Sequence, residues 1–217
     1  PYNLERSPAG SSSGTGAAVA AGVAPAGLGT DTGGSIRNPA AWCGITGLRP
    51  TIRRYSQSGV VPVSWTRDTI GPMARSVSDL ALLDSVITGK EEIHPIELNG
   101  LRLGIDREFF CKDCNSEILK IFETEVERLA NAGAEIVEVR IPDLENYIGQ
   151  IGQSIAMYEC VRALPRYLEA SNSYISFEEL ISQISASGLR ARFSAVASTE
   201  MVPKEAYNHA MIKVRPA

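Results

Sequence analysis

Three serines stand where a small-residue run could do chemistry: Ser11 and Ser12 near its start, and Ser35 behind a glycine pair. Ser35 closes the stretch Gly29-Thr30-Asp31-Thr32-Gly33-Gly34-Ser35 and is followed by Ile36 and Arg37. With no Cβ at positions 33 and 34, the backbone amides of Thr32, Gly33, Gly34 and Ser35 are open to approach. Such amides can converge on one oxygen and stabilise negative charge there, each donor contributing about 3–4 kcal/mol in a transition state. A serine hydroxyl beside them becomes a nucleophile once a base takes its proton. Asp31 and Arg37 are the only charged residues between Ser7 and Gly44. They read as a pair that pins the loop, the alternative being two unrelated surface charges.

Other chemistries that use glycine fit less well. A phosphate-binding loop of the form G-x-x-x-x-G-K-[ST] is excluded, since the first lysine is Lys90. A dinucleotide fingerprint begins at Gly14-Thr15-Gly16 but meets Val19 where its third glycine belongs. Gly10-Ser11-Ser12-Ser13-Gly14 satisfies G-x-S-x-G formally, yet "NLERSPA" before it makes a poor strand for a nucleophile elbow. A flexible linker would be polar throughout, whereas "GTGAAVAAG" and "VAPAGLG" are apolar.

The elements that must hold these residues follow from pattern. Gly14–Gly22 suits a tightly packed helix, Val23–Gly29 a short buried strand, and Thr30–Ser35 a tight loop. Gly44–Arg75 reads as loop, punctuated by Pro50, Pro62 and Pro72. Ser76 with Asp79 opens a helix that Gly89 closes. "LRLGI" and "EIVEVRI" read as strands flanking a helix that starts at Asn115-Ser116, with Ile118, Phe122, Val126 and Leu129 on one face. That strand–helix–strand order points to a parallel or mixed sheet. Helices dominate from Leu144 on, with a further cap at Ser176.

A formal charge of −4 gives no reason to expect nucleic acid or an anionic membrane as partner. No apolar run approaches the roughly 20 residues of a membrane span. Cys43, Cys111, Cys114 and Cys160 are too few and scattered for a disulfide scaffold and suit a reducing, cytoplasmic setting. Cys111-Lys-Asp-Cys114 matches C-x-x-C but lacks a second pair for zinc, so free thiols are the expectation. His94 and His209 lie in polar stretches and read as surface residues. The chain opens at Pro1-Tyr2 without an initiator Met and ends within a helical pattern, which suggests a piece of a longer protein.

The two halves of the small-residue run together resemble the amidase signature family, whose pattern is G-G-S-S-G-G-S followed by G-T-D-x-G-G-S-I-R-x-P-A. Residues 29–40 carry the second half almost letter for letter, and the likeness continues through "GVVPVSWTRDTIGPMARSVSDLALL". Ala9 for glycine and Ser13-Gly14-Thr15 for G-G-S are small-for-small departures. The resemblance implies an α/β fold in which helices surround a mixed β-sheet. It implies one domain over 1–217, with a signature core at 1–89, a linker at 90–100, and strand–helix–strand and helical segments at 101–217. It makes Ser35 the nucleophile and Ser11, after a cis Gly10–Ser11 bond, the relay to a lysine; Ser12, Asp31 and Arg37 support them, and Thr32, Gly33 and Gly34 form the oxyanion turn. The family's lysine lies upstream of the first serine. Lys90, Lys112, Lys120, Lys204 and Lys213 all follow it, so the isolated chain is expected to show little or no turnover.

The implied reaction is hydrolysis of a small carboxamide to acid and ammonia, with no cofactor and no metal. The wording of residues 58–73 is most similar to amidases of the mandelamide and indoleacetamide hydrolase type, which act on aryl-substituted primary amides. Trp42, Trp65, Ile70 and Met73 are candidates for an apolar pocket or for plain core. A glutamine-hydrolysing amidotransferase A-type subunit is the rival within the family, and an inactive amidase-fold scaffold the rival outside enzymes. A homo-oligomer is left open.

Overall fold

The computed structural model describes residues 3–91, 93–198 and 202–215. They fall into two compact units, Pro1–Ile93 with Ile151–Ala217, and His94–Gln150. The helical region from 151 onward therefore groups with the signature core, and the strand–helix–strand segment stands as a unit of its own.

In the first unit, helix α1 (Ser13–Ala20) leads into strand β1 (Ala26–Thr30), helix α2 (Arg37–Cys43), the two-residue strand β2 (Thr46–Gly47), strand β3 (Ile70–Ala74) and helix α3 (Val77–Thr88). β3 is the middle strand, antiparallel to β1 on one side and β2 on the other, with Ala26 and Thr46 both opposite Ala74. The sequence reads this strand as loop because Gly71-Pro72 looks like a breaker. The fold needs both residues. A Cβ at Gly71 would sit 1.9 Å from the Leu48 carbonyl oxygen. Pro72 lies just past the end of the short β2 and uses its carbonyl to accept from Leu48 N–H at 3.0 Å. β1 starts three residues later than its apolar pattern suggests, and Val23 is exposed. α3 begins and ends where its signals place it: Ser76 Oγ accepts from Asp79 N–H, and Gly89 takes a left-handed φ of 66°.

Ile36, Ala40 and Met73 form one buried cluster, with Ile45 against it. This cluster clamps α2 onto β3, so Met73 is core and not pocket lining.

The second unit holds strand β4 (Arg102–Ile105), helix α4 (Arg107–Phe110), helix α5 (Ser116–Asn131) and strand β5 (Glu135–Glu138). β4 and β5 pair in parallel, Leu103 opposite Ile136. Parallel and antiparallel pairings are both present, but in separate sheets. Val126 is buried on α5, whereas Ile118 is 60 % exposed.

Helix α6 (Leu144–Ala170) follows, then α7 (Phe177–Ser182), α8 (Ser187–Ser198), α9 (Lys204–His209) and a π-helical turn at Ala210–Val214. Cys160 and Leu164 of α6 are buried with Phe177 and Ile181 of α7. Val63, from the long segment before β3, packs against the same cluster. Among the described residues no helix is long and apolar enough to cross a membrane.

Candidate active site

Ser35 sits in the turn that joins the end of β1 to α2, half-buried, with Gly33 exposed and Gly34 buried on its N-terminal side. Gly34 has φ 122°, a backbone conformation that a side chain disfavours, and a Cβ there would meet the Asn38 amide at 2.9 Å. The peptide bond Gly10–Ser11 is cis. Ser12 N–H donates to the Ser35 carbonyl at 3.1 Å, which brings the Ser11–Ser12 segment beside the turn. Ser12 Oγ accepts from Thr30 N–H at 3.1 Å and donates to the Thr30 carbonyl at 3.3 Å. Ser12 thus fastens α1 to the end of β1. Ser11 is exposed, and among the described residues neither the Ser11 nor the Ser35 hydroxyl is hydrogen-bonded to a protein group.

Asp31 organises the turn. It is fully buried, and its carboxylate accepts from Gly34 N–H at 2.6 Å, Ile36 N–H at 3.2 Å, Arg37 Nε at 3.0 Å, Arg37 Nη2 at 3.1 Å and Arg49 Nη1 at 3.2 Å. Burial pushes this carboxyl up. The Arg37 guanidinium and the Gly34 and Ile36 amides outweigh that and hold it at about 2. The two charges read as a pair from the sequence do stand together, although Arg37 is 55 % exposed. Gly34 N–H is turned inward on Asp31. Among the described residues the N–H groups of Thr32, Gly33 and Ser35 donate to no protein group, so these three remain for a ligand oxygen.

Several supporting residues lie outside what the sequence pattern singles out. Arg49 also reaches the Asp31 carbonyl, and its Nη2 donates to the Arg67 carbonyl at 2.9 Å. Asp31 N–H donates to the Thr69 carbonyl at 2.8 Å. Thr32 Oγ1 donates to Asp68 at 2.5 Å, and Asp68 accepts from the N–H groups of Val63 and Ser64 at 2.7 Å each. Glu159 on α6 is fully buried and accepts from Ser64 Oγ, Thr66 N–H, Thr66 Oγ1 and Tyr207 OH. Burial and the Glu159 carboxylate push Tyr207 up to about 12, so its hydroxyl remains a donor at neutral pH. Only Arg49 carried a usable signal, as a further cation close to the glycine run.

Other candidates sit elsewhere. Trp42 is 62 % exposed and Trp65 is exposed as well, while Ile70 is half-buried in β3. All five lysines, His94 and His209 are exposed. The four cysteines are free thiols, and no cluster of three or more metal-ligating side chains occurs among the described residues.

This arrangement can do one thing well: receive a carbonyl oxygen on backbone N–H groups beside a serine hydroxyl. The family model described as Amidase matches residues 1–214. The chain belongs to the amidase family. Indoleacetamide hydrolase of Agrobacterium vitis is 39 % identical over 217 residues, covering all of this chain and 46 % of that protein. Mandelamide hydrolase of Pseudomonas putida is 42 % identical over 184 residues, 85 % of this chain and 36 % of its own length. The crystal structure of native peptide amidase from Stenotrophomonas maltophilia superposes with a TM-score of 0.80 at 29 % identity, covering 97 % of this chain and 48 % of that one. The chain thus spans about half the length of these amidases, and its α/β architecture is theirs.

Proposed function

We propose that this chain carries the nucleophile and oxyanion turn of an enzyme that hydrolyses a carboxamide to a carboxylic acid and ammonia. Ser35 Oγ attacks the carbonyl carbon while its proton passes through the Ser11 hydroxyl to a lysine. The carbonyl electron pair moves onto oxygen, where the Thr32, Gly33 and Ser35 amides receive it. The intermediate collapses, the nitrogen leaves as ammonia after taking the proton back, and an acyl-Ser35 ester remains. Water activated by the same relay cleaves that ester and restores Ser35. None of the chain's own lysines suits the base, because all are exposed and a neutral lysine needs desolvation. In the family pattern the lysine that serves as base lies upstream of the first serine.

The observation that carries this reading is the division of labour among the turn amides: Gly34 N–H is taken by buried Asp31, and its neighbours are left open beside a serine. Similarity to indoleacetamide and mandelamide hydrolases supports an aryl-substituted primary amide as substrate. The test is labelling of the full-length protein with a serine-directed fluorophosphonate, together with ammonia release from indoleacetamide, mandelamide and glutamine. Labelling confined to Ser35 and lost in Ser35→Ala, with aryl amides turned over faster than glutamine, is expected. Labelling elsewhere, or turnover that survives Ser35→Ala, defeats it; preference for glutamine moves the assignment to an amidotransferase A-type subunit.

A further inference from the structure

Four successive hydrogen bonds run from the glycine turn to the C-terminal helices. Thr32 Oγ1 donates to Asp68 Oδ1 at 2.5 Å, and Ser64 N–H donates to Asp68 Oδ2 at 2.7 Å. The Ser64 hydroxyl then donates to Glu159 Oε2 at 2.5 Å, and Tyr207 OH donates to Glu159 Oε1 at 2.8 Å. Ser64, Asp68 and Glu159 are all buried. A loop such as 62–69 has no regular backbone ladder to hold it, yet here both of its ends hang from carboxylates. Asp68 draws the Val63 and Ser64 amides together, and Glu159 takes the Ser64 and Thr66 hydroxyls.

We infer that Asp68 and Glu159 are positioning residues for the oxyanion turn, fixing the orientation of the Thr32 peptide through its side chain from helix α6. The inference rests on the acyl-transfer reading above. The chemistry of the acceptors supports it. Each Glu159 oxygen faces two donors, Oε2 the Ser64 hydroxyl and Thr66 N–H, Oε1 the Thr66 and Tyr207 hydroxyls. Thr66 N–H can only donate and the three hydroxyls all turn to the same carboxylate, so Glu159 is the shared acceptor that an apolar side chain of similar size would remove. Asp68 likewise serves one side-chain and two backbone donors with its two oxygens. In a dry setting such bonds reinforce one another, and a break at one end is felt at the other. A threonine at 32 is then required for its hydroxyl, separately from its amide.

Three variants of the full-length protein test this: Thr32→Val, Thr32→Ser and Glu159→Leu. Valine keeps the shape of threonine and removes only the bond to Asp68. Backbone amide exchange of residues 30–35, read by mass spectrometry, is expected to rise about tenfold in Thr32→Val and in Glu159→Leu. Residues 102–138, in the separate unit, are expected to exchange as in the parent. The rate of Ser35 phosphonylation is expected to fall about tenfold in Thr32→Val, in kcat and not in KM when an amide is used, and to recover most of the way in Thr32→Ser. Unchanged turn exchange in Glu159→Leu, or parent-like labelling of Thr32→Val, overturns the inference. A parent protein that never labels at Ser35 would instead defeat the amidase reading, while the exchange data would still judge the coupling.

Discussion

Replacing Asp31 by asparagine removes one negative charge and keeps the size of the side chain. The cost can be worked from its partners. The charge alone is read from the gap between an ordinary carboxyl at 3.8 and the native value of about 2, which corresponds to about 2 kcal/mol at neutral pH. Asparagine adds a second penalty. If its carbonyl keeps the contacts with Gly34 N–H and Arg49, its NH2 faces Ile36 N–H and Arg37 Nε, donor against donor. Arg37 is half exposed and can turn to water, but the Ile36 amide cannot. One unsatisfied buried amide adds about 1–2 kcal/mol, for a total of about 3–4 kcal/mol. For a chain of this size, that lowers the melting temperature by roughly 7–14 °C. Thermal unfolding followed by circular dichroism measures it, and amide exchange at Gly34 should accelerate in parallel. A variant that melts within 2 °C of the parent would refute the claim that a buried carboxylate holds this turn.

Three further outcomes are expected. Because the Asp31 carboxyl is held low, its contribution is complete above about pH 4 and is lost as the pH falls towards 2; acid titration of stability should show a loss of about 2 kcal/mol over that window that Asp31→Asn lacks. Gly71→Ala drives a methyl into the Leu48 carbonyl and should leave little soluble protein, whereas Gly59→Ala, which meets open space and carries only the modest cost of its positive φ, should fold. In thiol alkylation of the native protein, Cys114 should react and Cys160 should not until unfolding, since Cys160 is buried and its thiol is pushed up to about 11.

The turn of the candidate site is legible in the sequence because its signals are local: a glycine pair, a serine behind it, and an Asp–Arg pair six residues apart that the structure brings together. Helix α3 is legible for the same reason, since its start is a single serine side chain and its stop a single glycine at its own ends. Strand β3 is not. Gly71 and Pro72 look like punctuation until Leu48, far back in the chain, is seen to press on the one and to bond the other. Glu159 is hidden more deeply. A lone glutamate in a long helix reads as solvated surface, and its partners Ser64 and Thr66 lie 95 and 93 residues away. Periodicity groups Ile118 with Val126 on one face of α5 but does not say how deeply each is covered, and Ile118 is 60 % exposed while Val126 is buried.

The order in which the fastenings arrive has a consequence for synthesis. Ser35 leaves the ribosome ahead of Asp68, Glu159 and Tyr207, which follow it one after another, the last by more than 170 positions. At about 5–20 residues per second, the turn waits some ten seconds or longer before its last clasp can close. A nascent chain therefore carries Ser35 for some time before the groups that fasten its turn have been made.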